Sequence, residues 1–344
     1  ALVLAAASWV ARALFVRRRR NAGGTVIAQY DVPADLSPLL AAALLPSASD
    51  VIPAEIAHLA VRGALRIEET DGTEPNGTVL RLRDRSAAPS ELDRRALDVL
   101  FPGDATTRTL TGDDEELAEK LTELVAEGKK AAEARSWTAK ARSPLAAALC
   151  WASVAALLLA VGFVVWSAVR DRDDRLALGI LAVALAFGAV VFTSIVAFSR
   201  TLVLTASGAE RYAYLMGVRE FIRVAEADRI RMLQSATGGE RRADGEADVV
   251  VLYERLLPYA MLFGEEKSWA RVLEVAYEGA DMHPSWISSG HGIPFVTTML
   301  AFSHTTQSAA TYVSPSSSIS SSFGGSTGGG FSGGGGGGGF SGGR

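Results

Sequence analysis

Two long stretches of this chain carry no charge at all, and they restrict the fold more than anything else in it. They are PLAAALCWASVAALLLAVGFVVWSAV, from Pro144 to Val169, and LALGILAVALAFGAVVFTSIVAF, from Leu176 to Phe198. At about 1.5 Å of rise per residue each is long enough to cross a hydrocarbon core of about 30 Å. Both are expected to be transmembrane helices. The six residues between them, RDRDDR from Arg170 to Arg175, cannot be buried in lipid, and six residues suffice to turn a helical hairpin. The hairpin spanning 144–198 should therefore leave and re-enter on one side.

A third apolar run, ALVLAAASWVARALFV, opens the chain and leads directly into Arg17 to Arg20. A signal peptide carries its positive charge before the apolar stretch, so this order is that of a stop-transfer segment. Residues 1–20 read as the end of a transmembrane helix with an arginine stop, the start of that helix being expected upstream of Ala1. Cytoplasmic flanks are enriched in Lys and Arg. Arg17 to Arg20, then Lys129, Lys130, Arg135, Lys140 and Arg142, then Arg200, Arg211, Arg219 and Arg223 assign 21–143 and everything after Ser199 to the cytoplasm. Only the hairpin tip is expected outside.

The first cytoplasmic segment has its own fold signals. In DVIPAEIAHLAVRG, Pro53 suits a first helical turn, Ile56, Leu59 and Ala60 repeat at helical spacing, and Gly63 suits a left-handed C-cap. ALRIEE and TVLRLRD alternate around the turn EPNG and predict a β-hairpin. Ser90 is placed to cap a helix with Leu92, Ala96, Val99 and Leu100 on one face. Helix, hairpin, helix is the layout of a winged-helix-like domain, expected over 21–112.

Nucleic acid binding through that domain is disfavoured by charge. From Asp31 to Arg142 there are 21 acidic and 14 basic residues, a net of −7, whereas DNA affinity comes largely from neutralised phosphates. The would-be recognition helix turns Ala54, Glu55, Ala57, His58 and Val61 outward by its periodicity, with Arg62 as its cation. A connecting helix follows over 113–143, capped by Thr111 or Asp113, with Leu117, Leu121, Leu124 and Val125 as its stripe.

The second cytoplasmic segment, 199–290, is predicted to be all helical. Leu215, Val218, Phe221, Ile222 and Ala225 repeat at helical spacing; further on, Pro258 should break or kink a helix and Gly264 permits a turn. Trp269, Val272, Leu273, Ala276 and Tyr277 then form an amphipathic face. From 291 to 344 serine and then glycine dominate, and a disordered tail is expected because such a stretch buries too little to offset its ordering entropy. Phe323, Phe331 and Phe340 punctuate it.

No catalytic, cofactor or metal site is expected. His58, His283, His291 and His304 show no metal-ligand spacing, no serine sits in a nucleophile elbow, and GGSTGGG lacks the lysine and helix of a phosphate loop. Cys150, the single cysteine, lies inside an apolar run where a thiol packs as a small hydrophobe, facing lipid or another helix.

The arginine-stopped helix, IPAEIAHLAVRGALRI, the membrane hairpin, GVREFIRVAEADR, LLPYAMLFGEEKSW, PSW at Pro284 to Trp286 and the serine-then-glycine tail together resemble the bacterial predicted membrane proteins carrying domain of unknown function 2207, the YciQ-like family. The resemblance implies an integral plasma-membrane protein and carries over no catalytic residue. The fold class expected is thus mainly α and membrane-integral, with a winged-helix-like α/β domain and an all-helical domain in the cytoplasm. The function expected is a non-enzymatic platform that uses the bilayer as anchor and proteins as partners at the cytoplasmic face, with homo-oligomerisation left open. The alternatives are a membrane-tethered nucleic-acid regulator, an accessory subunit of a membrane enzyme or transport complex, and an enzyme whose chemistry lies upstream of Ala1.

Overall fold

The computed structural model describes residues 2–21, 26–33, 35–69, 78–170, 183–188, 190–191, 193–194, 201–234, 246–288 and 293–312. The turn EPNG, the RDRDDR tip, most of the second apolar run, His291 and the tail from 313 onward lie outside them. Ala1–Tyr312 forms one compact unit.

Helix α1 (Leu2–Arg20) runs through all four arginines. Short α2 (Pro38–Leu44) and then α3 (Val51–Val61) come next. Gly63, at φ +83°, lets the chain leave α3 through Gly63 N–H to Ala60 O and Ala64 N–H to Leu59 O, the left-handed exit its sequence predicts. Strands β1 (Leu65–Glu69) and β2 (Thr78–Leu82) form the expected antiparallel hairpin, in register from Leu65 opposite Leu82 to Glu69 opposite Thr78. In α4 (Glu91–Leu100), Ser90 and Asp93 make a reciprocal capping box. Strand β3 (Thr107–Leu110) pairs with β2.

Helix α5 (Glu115–Ala134) is capped by Asp114, whose carboxylate accepts from Leu117 N–H, and not by Thr111 or Asp113. Asp114 is favoured because its other oxygen is held by Arg108 at 2.6 Å. Strand β4 (Thr138–Ala141) then leads into α6 (Pro144–Arg170).

After the second apolar run come β5 (Thr201–Leu204), α7 (Ala206–Gln234), α8 (Glu246–Leu262), α9 (Glu266–Ala280), β6 (Ile287–Ser288) and α10 (Phe295–Thr311). Five expectations are corrected here, one of them in part. The segment 199–290 is not all helical: β5 pairs antiparallel with β4, and β6 adds to β1 in parallel, giving a sheet ordered β3-β2-β1-β6. Such short strands are defined by their partners and not by their own periodicity. Of the two outcomes expected at Pro258, the break is overturned: α8 runs through it, and with Leu256, Leu257, Tyr259, Ala260, Met261 and Leu262 all buried around it, packing fixes the chain where one backbone bond is missing. Residues 295–311 are not tail but a helix that buries Met299, Phe302, Thr306 and Ala309.

The fourth correction concerns α3. Ala54, Glu55, Ala57 and His58, read as outward-facing, are all within 5% of complete burial, because α8 and α10 as well as α2 pack against α3. Nearly every position from Ile52 to Ala60 is in the core, so this helix is sealed away from any groove it would have to read. One hydrophobic core runs from Leu36 to Ala309, so residues 36–141 and 201–309 are halves of a single body and not separate domains.

Glycine matters most where backbones cross. A Cβ on Gly208 would lie 1.9 Å from the Trp137 carbonyl oxygen, and one on Gly217 would lie 2.1 Å from that of Ile27. The first crossing sits where β4 and β5 meet; the second lets residues 26–29 lie on α7, with Gln29 N–H donating to Gly217 O at 3.1 Å.

Among the described residues one helix, Pro144–Trp166, is long and apolar enough to span a bilayer. It packs against α1, and the residues buried on the two helices are mostly small: Ala5, Ser8 and Ala11 on α1, and Ala146, Cys150 and Ser153 on α6. Such residues let membrane helices approach closely. The described part of the second run is helical, and Cys150 Sγ lies 3.2 Å from Ser194 Oγ, so the thiol faces a helix and not lipid.

Candidate functional site

The strongest cluster of perturbed ionisable groups lies inside the body, on α3, α4 and α8. Glu55 Oε2 accepts from Leu39 N–H at 3.3 Å, so a buried carboxyl on α3 satisfies one of the orphan donors at the start of α2. Tyr259 donates its hydroxyl to Leu36 O beside it. Burial, then the charge of Asp93, then a hydrogen bond shared with Asp93 push the Glu55 carboxyl well above its ordinary range. Protonated, Glu55 supplies the donor that two adjoining carboxyl groups otherwise lack. Burial likewise drives His58 down to about 4, outweighing the opposite pull of Asp93. Its Nε2 is 4.0 Å from Asp93 Oδ2, too long for a hydrogen bond, and the imidazole is neutral at physiological pH.

These shifts give opposite pH dependences. The unfolded His58 protonates near 6.5 and the folded one near 4, so the unfolded chain binds more protons between those values and stability falls as pH drops through that window. Folded Glu55 keeps its proton above 4.5, where the unfolded residue has lost it, so stability falls as pH rises from 4.5 through the folded value. Glu55→Gln keeps the acceptor for Leu39 and cannot ionise. It should raise the melting temperature at neutral pH and flatten the profile above 4.5 while leaving the acid limb in place; a loss of stability at every pH would contradict a neutral Glu55.

A second set borders a groove at the surface. Glu254 Oε1 accepts from Tyr277 Oη and from Trp286 Nε1, the latter at 2.9 Å. Phe295 packs edge-on to both Tyr277 and Trp286, with centroids 5.4 and 6.1 Å away. This fixes α9, β6 and α10 around a groove of about 440 Å³ with Glu274, Glu278, Asp281 and His283 along it and Ile293 and Phe295 in its apolar part.

Of the histidines, His58 is buried, His283 lies in this groove and His304 is exposed on α10, so the structure does not bring them together. Among the described residues no group of His, Cys, Asp and Glu side chains is arranged to hold a metal ion. Sequence reasoning missed the Glu55, His58 and Asp93 cluster. Its legible sign was a Glu and a His at i and i+3 inside an otherwise apolar helix.

A third surface lies where α1 reaches the body: Arg12, Arg17 and Arg20, with Trp9 and Tyr212, line a cleft of about 710 Å³.

A helix of membrane-spanning length thus joins a folded body whose core is shared by the segments on both sides of it. Residues 26–273 match the family described as the predicted membrane protein (DUF2207) C-terminal domain, and the chain belongs to that family. No curated protein and no solved structure matches it.

Proposed function

We propose that this is a non-enzymatic, multi-pass plasma-membrane protein whose cytoplasmic body is an interaction platform, with proteins as its partners. The pairing of β4 with β5 carries the topological part of this reading. Thr138 lies opposite Leu204 and Ala141 opposite Thr201, so the chain leaves at one strand and returns at the next. An even number of crossings between 142 and 200 satisfies that closure, and the arginine-rich flanks favour the cytoplasmic side for the body.

The non-enzymatic part rests on the sealed position of the ionisable cluster: Glu55 and Asp93 are within 1% of full burial and act as caps for α2 and α4. The acidic groove between α9 and α10 is the surface on which a partner segment with basic and apolar side chains would find complementary charge. The nucleic-acid reading loses its reading helix to the core.

Topology is tested with single cysteines in a Cys150→Ser background. A cysteine at exposed Asp104 should react with a membrane-impermeant thiol reagent only after lysis, and one at Asp173 should react in intact cells. Labelling of Asp104→Cys in intact cells would overturn the orientation.

A further inference from the structure

The cleft between α1 and α7 has a composition that neither the fold nor the platform reading requires. Its eight lining residues include three arginines, Arg12, Arg17 and Arg20, and no acid. Trp9, Ala13 and Val16 form its apolar side, and Asn21 and Tyr212 complete it. Arg20 is stacked over the Tyr212 ring at 5.8 Å, so one guanidinium is held in place by α7 and does not sweep freely. Both membrane-facing helices carry surface that suits hydrocarbon: Trp9, which lines the cleft, and Val10 and Leu14 on α1 are about half exposed, and Trp151, Leu158 and Phe163 on α6 about two-thirds exposed.

A tetra-arginine segment after a membrane helix is in itself ordinary topology. What is specific here is that Arg17 and Arg20, with Arg12 a turn and more above, share one cleft with two interfacial aromatics, while Arg18 and Arg19 do not line it. Arg19 instead sits over Phe15 at 5.5 Å. A phosphate among the arginines and an acyl chain along Trp9 and Val16 would satisfy both sides of the cleft at once.

We propose that this cleft is a binding site for an anionic phospholipid, seated at the boundary between the membrane helices and the body. It rests on the membrane character of the family and not on the platform reading or the orientation.

The test uses the full chain purified and reconstituted in phosphatidylcholine vesicles containing a minority of phosphatidylglycerol, with a trace of a photoreactive, acyl-labelled phosphatidylglycerol. Adducts are mapped by mass spectrometry. The proposal expects adducts on the peptides bearing Trp9 to Val16 and Tyr212. Arg17→Gln/Arg20→Gln should reduce them roughly tenfold or more, given about 1 kcal/mol per arginine near an anionic headgroup. Arg18→Gln/Arg19→Gln, which removes the same charge from residues that do not line the cleft, should leave them within about twofold, because a seated headgroup is held by the lining arginines and not by diffuse attraction. Folding of both variants is checked by their melting temperatures, and Arg17→Lys/Arg20→Lys should restore part of the labelling in either case.

Equal loss in the two double variants would mean diffuse attraction and would overturn the site. So would labelling undiminished when a photoreactive phosphatidylcholine replaces the anionic probe. Full competition by inorganic phosphate, with the acyl adduct lost, would assign the cleft to free phosphate and equally overturn the lipid.

Discussion

Trp269→Ala should unfold the body. The indole is completely buried, its Nε1 donates to Tyr253 O at 3.0 Å, and its ring meets Tyr253 and Phe221 at centroid distances of 5.1 and 6.4 Å. It thus joins α9 to both α8 and α7. Truncating a buried aromatic costs about 3 to 5 kcal/mol, and a carbonyl left unpaired adds about 1 kcal/mol or more. Against a total stability of about 5 to 15 kcal/mol that is enough to lose the cooperative fold or most of it. Thermal melting and limited proteolysis of the detergent-solubilised protein measure it. Val275→Ala, at a partly exposed position of the same helix, should stay within about 0.5 kcal/mol of the parent. Equal behaviour of the two variants would show that the α7, α8 and α9 junction is not packed as described.

Truncation separates helix α10 from the serine- and glycine-rich segment beyond it. A chain ending at Tyr312 keeps every described core residue, the last being Ala309, and should melt like the parent. A chain ending at Pro294 loses Met299 and Phe302, both within 1% of full burial, and takes Phe295 from Trp286 and Tyr277. Burial of one such side chain contributes about 1.5 to 3 kcal/mol. The longer deletion also removes one of the helices that pack against α3. It should yield protein that is degraded or aggregated, measured as the yield of folded protein and its protease resistance. A shorter chain as stable as the parent would return 295–311 to the tail.

The readings that succeeded were local ones. Gly63 and Gly264 both sit at positive φ, Ser90 caps α4, and Leu117, Leu121 and Leu124 are buried as their spacing requires. Each depends on neighbours within a turn or two of chain. The failures were long-range. Periodicity assigns a helix one wet face, but α3 is apolar enough to be enclosed, and the helices enclosing it lie some 200 residues later in the chain. Helix α10 is rich in Thr and Ser, weak helix formers, and is fixed by contacts with α3, α5 and α9 and not by its own propensity. Strand β6 has two residues and is defined by its pairing with β1, where Ile67 N–H also reaches Trp286 O at 2.9 Å. The arginine cleft was half legible: the charge run was plain, but which arginines converge with Tyr212 depends on how α1 meets α7.

The central claim is that the segments before and after the membrane run meet at the β4 and β5 pair and fold as one body. Lys140 and Leu202 are opposite one another in that pair, and both are exposed. Directly opposed residues in an antiparallel ladder have Cα atoms about 4.5 to 5.5 Å apart, within disulfide reach. With Cys150→Ser, cysteines at 140 and 202 and a protease site introduced between Arg170 and Arg175, mild oxidation of membranes should give a crosslink that holds the two cleaved fragments together on a non-reducing gel, and reduction should release them. Fragments that separate under oxidation, while a parallel Lys140→Cys/Thr311→Cys control behaves the same way, would contradict the account.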